Sequence, residues 1–164
     1  MKRMLLSFLL LIGCTTTTYK LDKKYRPLTE IVETSKYNIT TDLSTLGTQC
    51  FTNNLSEFLK NVPPGSADFN ALLLHEQYHA LRQQEVGLNT WNKRYNDDFR
   101  FRRSEELGGY RIQIFALLDA GIKVDVKYYG DVLANNPAYR MIEQSDAEKW
   151  VQQTINEWAA SKNK

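Results

Sequence analysis

Five consecutive residues, His75-Glu76-Gln77-Tyr78-His79, contain both histidines of the chain. They sit in an apolar-periodic run between a Pro63-Pro64-Gly65 breaker and Gly87, so the spacing predicts a helix. Ser66 or Asp68 can cap its start, and Gly87 suits the position just past its end. Positions i and i+4 of a helix share one face about one turn apart, which sets the two imidazoles side by side. Neutral imidazoles so placed can hold one Zn²⁺ at about 2.0–2.1 Å each. Glu76 is offset from that face and can reach a water on the metal. The pattern points to a metal-dependent hydrolase, and within that class to a peptidase. Ala71, Leu74, Tyr78 and Leu81 form an apolar stripe on the same helix. His75, His79 and Leu72 flank it, at the edge of a core where a cleft floor belongs.

Catalytic tetrahedral zinc takes three protein ligands and leaves a position open for water. With no third histidine in the chain, the third ligand must be a carboxylate or Cys50. A second strong helix is expected from about Ser104 to Ala120, closed by Gly121, and it begins Ser104-Glu105-Glu106-Leu107-Gly108-Gly109-Tyr110. From about Asn70 to Phe115 the chain resembles the gluzincin-type metallopeptidases. In these, HExxH on one helix is joined by a glutamate on a later helix, often opening an ExxA(D/Y)-like motif. Glu106 to Tyr110 matches that shape. The resemblance implies a single zinc ion held by His75, His79 and Glu106. It also implies Glu76 as the general base, passing the proton of the attacking water to the leaving amine. A donor for the oxyanion is implied too, with Tyr78, Tyr95, Tyr110 and Arg111 as candidates.

The chain departs from the family at two positions. Better-known members carry an aspartate where Tyr110 stands, orienting a ligand histidine; a phenol can bond an imidazole N–H but brings no charge. Gly109 stands where alanine is usual. Two glycines inside a helix cost about 1 kcal/mol each relative to alanine. They imply close approach of another backbone, read here as the HExxH helix. A helical wheel separates the two adjacent acids. Leu107, Tyr110, Ile114, Leu117 and Leu118 cluster on one side. Glu106 lies about 70° from the middle of that cluster and Glu105 about 170° away. Glu106 is therefore the expected ligand. Glu105 is expected to be a solvated first-turn acid favoured by the helix dipole.

The first 13 residues read as a leader. Met1-Lys2-Arg3 is a positive start, and Met4 to Gly13 is an apolar stretch too short to span a bilayer, which needs about 20 residues. Leu11-Ile12-Gly13-Cys14 resembles the bacterial lipobox. That resemblance implies cleavage before Cys14, lipid on its thiol and a membrane anchor; each buried CH₂ contributes about 0.8 kcal/mol. Residues 14–24, with four consecutive threonines, are expected to be a tether. Residues 25–164 are expected to form one zincin-like domain. The location implied is the cell envelope, at the outer membrane facing the periplasm if the host is Gram-negative. Thr15 stands where some lipoproteins carry an aspartate that retains them in the inner membrane. If Cys14 carries lipid, Cys50 has no partner in the chain, and a buried apolar role is its default.

The formal charge of +2 comes from the leader, since without Lys2 and Arg3 the chain is neutral. No basic nucleic-acid surface is indicated. Tyr37 to Thr41 and Leu46 to Thr52 suit short strands, and a strand within 37–52 is the expected edge for an extended peptide substrate. Asn53 to Val62 has a weak helical period. Trp91 to Phe101 is expected to hold a short helix and a loop, with Arg100, Arg102 and Arg103 a solvated basic face. Lys123 to Ala134 suits a helix capped by Asp125 and broken at Asn135-Asn136-Pro137. The last helix is expected from a capping box, Ser145-Asp146-Ala147-Glu148, to about Ala160, with Trp150 and Trp158 packing its core side. The fold class expected is α+β, mainly α, with the HExxH and glutamate-bearing helices packed together and a small sheet upstream. The function expected is a membrane-anchored zinc metallopeptidase acting on a peptide or protein. The alternative is a zinc-binding lipoprotein, a pseudoenzyme or partner-binding module, that grips without cutting.

Overall fold

The computed structural model describes residues 17–35, 43–135 and 142–163. The leader with Cys14, the strand expected at 37–41 and the Asn136-Pro137 break lie outside the described residues. Four short strands form one mixed sheet: β1 (Thr18–Lys20), β2 (Glu30–Glu33), β3 (Ser44–Leu46) and β4 (Gln49–Thr52), in the order β1-β2-β4-β3. β1 runs antiparallel to β2, β2 parallel to β4, and β3 antiparallel to β4. Gly47, at φ 64°, makes the tight turn between β3 and β4, a conformation open to glycine at no steric cost. Thr18 to Lys20 lie within the stretch expected to be a tether. They form β1 instead, because Tyr19 pairs with Ile31 and sets its ring edge-on against Phe69.

Among the described residues six α-helices follow: α1 (Leu55–Asn61), α2 (Ala67–Val86), α3 (Leu88–Asp97), α4 (Phe99–Asp119), α5 (Val126–Asn135) and α6 (Gln144–Lys162). The molecule is α+β and mainly helical. Local chemistry sets the helix ends. Ser66 Oγ accepts the Phe69 amide at 3.1 Å and starts α2, and Gly87 at φ 89° ends it. Asp98 Oδ1 accepts the amides of Arg100 and Phe101 and starts α4 five residues before the expected Ser104. Asp125 caps α5 as the sequence suggests, accepting from Lys127 and Tyr128. The expected capping box of α6 does not form. That helix starts at Gln144 after Glu143, which makes no side-chain cap bond, and Ser145 lies inside it.

Helix α2 separates two cores. Its Phe69, Leu73 and Ala80 face the sheet and join Ile31, Cys50 and Phe58. On its other side Ala71 joins Ile114 and Leu117 of α4, Leu133 of α5 and Val151 of α6. The stripe expected at Ala71, Leu74, Tyr78 and Leu81 is therefore not the core face: Leu81 is 50% exposed, and Leu74 and Tyr78 are half-buried. The sheet-facing row is Phe69, Leu73, Glu76, Ala80 and Gln83, at spacings of three and four. Two of its members are polar, which hid the row from a hydrophobicity reading. Gln83 earns its burial by tying β3 to the helix: its Oε1 accepts the Gly47 amide at 2.7 Å and its Nε2 donates to Thr45 O at 3.1 Å. β3 is an edge of the sheet, yet this bond already occupies the Thr45 carbonyl of that edge. At the far end, Trp150 and Trp158 are both half-buried, and Trp158 Nε1 donates to Asp119 Oδ1 at 2.7 Å, fastening α6 to the end of α4. Among the described residues no helix is long and apolar enough to cross a membrane.

Candidate metal centre

His75 and His79 project from α2 toward α4, where Glu106 meets them. The two Nε2 atoms are 3.0 Å apart. Glu106 Oε2 lies 3.6 Å from His75 Nε2, and Glu106 Oε1 lies 3.5 Å from His79 Nε2. The three residues could hold a metal ion. Ligand atoms at about 2.0–2.1 Å from one tetrahedral centre stand about 3.3–3.4 Å from each other, and the three observed separations straddle that value. Glu106 Oε2 is buried and has no hydrogen-bond partner among the described residues. Leaving a buried carboxylate oxygen unpaired is costly, so a cation fits the cluster on both geometry and chemistry.

The tautomer of His75 is set from outside the cluster. Its Nδ1 lies 3.0 Å from Oε1 of Gln113. An amide oxygen can only accept, so the Nδ1 proton points to Gln113 and the Nε2 lone pair points into the cluster. Gln113 Nε2 in turn donates to the Tyr129 hydroxyl at 3.4 Å. Burial pushes the Tyr129 hydroxyl up to about 12, with Tyr128 adding to the effect, so it stays protonated. Tyr110 meets His75 with its ring, edge-on at 4.7 Å between centroids.

The expected neighbour of the two glycines, α2, is there, but what crowds them is its side chains rather than its backbone. A methyl group on Gly109 would stand 2.6 Å from His75 Nε2, and one on Gly108 would strike the phenol end of Tyr78. Glycine at 109 is thus what lets α4 come near enough for Glu106 to face both imidazoles.

Glu76 is 5% exposed, and no hydrogen bond reaches it among the described residues. It points toward the sheet side of α2, where its charge adds to burial in raising the Cys50 thiol far above its usual range. It also helps raise His79, Tyr95 and Tyr110, so it borders the cluster. In the metal-free protein, burial disfavours the His79 imidazolium, but Glu106 outweighs burial and raises its pKa, with Glu76 and Glu105 assisting. Burial likewise disfavours the Glu106 carboxylate. His79 and the His75 contact overcome that and hold it well below the usual carboxylate range. The cluster is built for positive charge.

The candidate donors separate cleanly in space. The Tyr95 hydroxyl donates to Glu106 Oε1, and burial, then the Glu106 charge, keeps it protonated. Tyr78 lies on the outer side of His79, over Gly108. Arg111 is not brought to the cluster; it is exposed and pairs with Glu157 of α6 at 3.4 Å. Of the basic face, Arg100 and Arg103 are exposed, while Arg102 is half-buried and donates to Tyr95 O at 3.0 Å.

Glu105 is a correction. It is 2% exposed, not solvated. Its Oε1 accepts Nε and Nη2 of Arg82 at 3.1 and 3.0 Å, and its Oε2 accepts Trp91 Nε1 at 3.1 Å. The wheel was right that Glu105 faces away from the main core. The side it faces is covered by α3 and by Arg82 of α2. Nor is it a first-turn residue, since α4 begins at Phe99. Sequence reading also missed Gln113 and Trp91. Gln113 follows Glu106 by seven residues, two helical turns, which places both on one face.

No family model matches the chain, and neither a curated protein nor a solved structure is similar to it.

Proposed function

We propose that this protein is a zinc-dependent metallopeptidase anchored to the bacterial cell envelope through lipid on Cys14. The observation that carries the reading is the buried His75–His79–Glu106 group with the buried carboxylate of Glu76 on its border. Two imidazoles and a carboxylate are a donor set that suits catalytic zinc. His75, His79 and Glu106 would hold the zinc, which would supply a coordinated water of pKa about 7 and a Lewis acid for the substrate carbonyl. Glu76 takes the proton of the attacking water and passes it to the leaving amine. Tyr95, protonated and already directed at the cluster, is the donor best placed for the oxyanion. Gln113 keeps the His75 lone pair facing inward throughout.

A second reading is a zinc-binding lipoprotein without catalysis. It draws on the burial of the centre, whose four residues are each 2–5% exposed. Glu76→Gln separates the two. The peptidase reading expects the variant to keep zinc and lose at least about 100-fold in turnover of peptides from host envelope extract, the usual scale of general-base catalysis. Equal activity of variant and wild type removes Glu76 from the mechanism. Zinc binding with no cleavage by wild type leaves the non-catalytic reading. The anchor is tested separately: Cys14→Ser should release the protein from membranes or block processing, and normal cleavage with unchanged membrane retention refutes it.

A further inference from the structure

The centre is too enclosed for a peptide backbone to reach it as it stands, with His75, Glu76, His79 and Glu106 at 4, 5, 5 and 2% exposure. One of its walls is α3. That helix has ten residues, and only Trp91 among them is buried. It joins α2 through Gly87, at φ 89°, and joins α4 through the single residue Asp98. It is therefore suspended by one-residue links between the two helices that supply the cluster. Among the described residues four side-chain hydrogen bonds hold it down: Trp91 Nε1 donates to Glu105, the Tyr95 hydroxyl donates to Glu106, and Arg102 Nη1 of α4 donates to the carbonyls of Tyr95 and Asn96. The Trp91 ring stacks on Tyr95 at 4.5 Å and meets the His79 ring at 5.9 Å. Arg82 fixes Glu105 from α2. One buried carboxylate, next in sequence to the expected metal ligand, thus ties three helices together.

We infer that Glu105 and Trp91 are positioning residues that latch α3 over the metal centre as a cover. Through Trp91 the latch sets Tyr95 against Glu106 and holds the ring beside His79. Lifting α3 breaks these four hydrogen bonds and exposes one buried indole, while the contact of α2 with α4 and both cores stay intact. Opening is therefore a local event, well short of unfolding. Ion exchange and substrate entry both pass through it. The inference rests on the reading of His75, His79 and Glu106 as a metal site.

The test is zinc release into excess chelator, followed by stopped flow on the full chain. Trp91→Phe keeps an aromatic ring on Tyr95 and His79 but deletes the N–H. Release should quicken at least about tenfold, the scale of a lost hydrogen bond to a charged acceptor. An unchanged rate in a folded variant overturns the latch. A second measurement needs neither the variant nor metal. Backbone hydrogen exchange of the wild-type chain should show residues 88–97 exchanging through local opening, faster than the interiors of α2 and α4. Exchange of α3 only with global unfolding overturns the cover. Failure to bind zinc would refute the metal-site reading by itself, and the exchange profile would still decide the cover.

Discussion

At the scale of single residues, the most consequential side chain that the sequence hides is Gln113. Ligand histidines commonly give their second N–H to a carboxylate, a carbonyl or a water, and such partners are worth about 10–100-fold in metal affinity. Here the acceptor is a neutral amide at 3.0 Å from His75 Nδ1. Gln113→Leu should lower zinc affinity by about 10–100-fold, read by competition with a chromogenic chelator. Gln113→Glu keeps an acceptor and adds charge, so its affinity should equal or exceed that of wild type. Wild-type affinity in the leucine variant would show that the hydrogen bond does not set the tautomer. His75, Glu76 and His79 were legible because their spacing is itself the chemistry. Gln113 was not, because a glutamine between Ile112 and Ile114 is unremarkable until the helix facing it is known. The contest among Tyr78, Tyr95, Tyr110 and Arg111 was also open for want of distances: only a fold shows that Tyr95 reaches Glu106 while Arg111 turns to Glu157.

At the scale of elements, the site depends on how closely α4 lies against α2. The glycine pair pointed to a close neighbour from sequence, since two unfavourable helix residues in a row need a steric reason, but that neighbour is side chains of α2 and not its backbone. The consequences of filling the two positions differ. Gly109→Ala puts a methyl 2.6 Å from His75 Nε2, so α4 must retreat or the imidazole must turn. It should cost more than about tenfold in zinc affinity, although alanine favours the helix itself by up to about 1 kcal/mol. Gly108→Ala meets only the phenol end of Tyr78, which is half-exposed and can swing aside. Its zinc affinity and thermal midpoint should stay near wild type. Equal, wild-type affinity in both would mean that the helices can part without disturbing the centre. The same α4 shows where a wheel fails. It assumes one buried face, whereas α4 is buried on two, and Glu105 is 2% exposed on the second. The α2 stripe failed for a related reason: a helix between two cores buries Glu76 and Gln83 among its apolar positions.

At the scale of the whole molecule, α2 separates a sheet-side core from a helix-side core, and the His75–His79–Glu106 cluster joins α2 to α4 beside that division. The broad α+β plan was legible because strand and helix periods change once along the chain, near residue 53. The position of the division was not, because it depends on which faces of α2 are shared. A metal ion held by both helices stabilises the folded state by mass action, by about 2.7 kcal/mol at a free concentration 100 times its dissociation constant. Protons compete for the same atoms, and the signs follow from the shifts. His79 is raised above its ordinary 6.5 in the metal-free fold, so its contribution is complete below pH 6.5 and is lost as pH rises through the folded value. Glu106 is lowered from its ordinary 4.5, so its contribution is present above pH 4.5 and is lost as pH falls through the folded value. With chelator present, this pair should therefore support the fold best between about pH 4.5 and 6.5 and progressively less above that. With saturating zinc the imidazoles must be neutral, so the ion binds more tightly as pH climbs through the same upper range. Thermal unfolding from pH 5.5 to 8.5, with chelator and with zinc, should show two midpoints that draw apart as pH rises. A separation that stays constant across that range would mean that His79 holds no proton in the place where the ion binds.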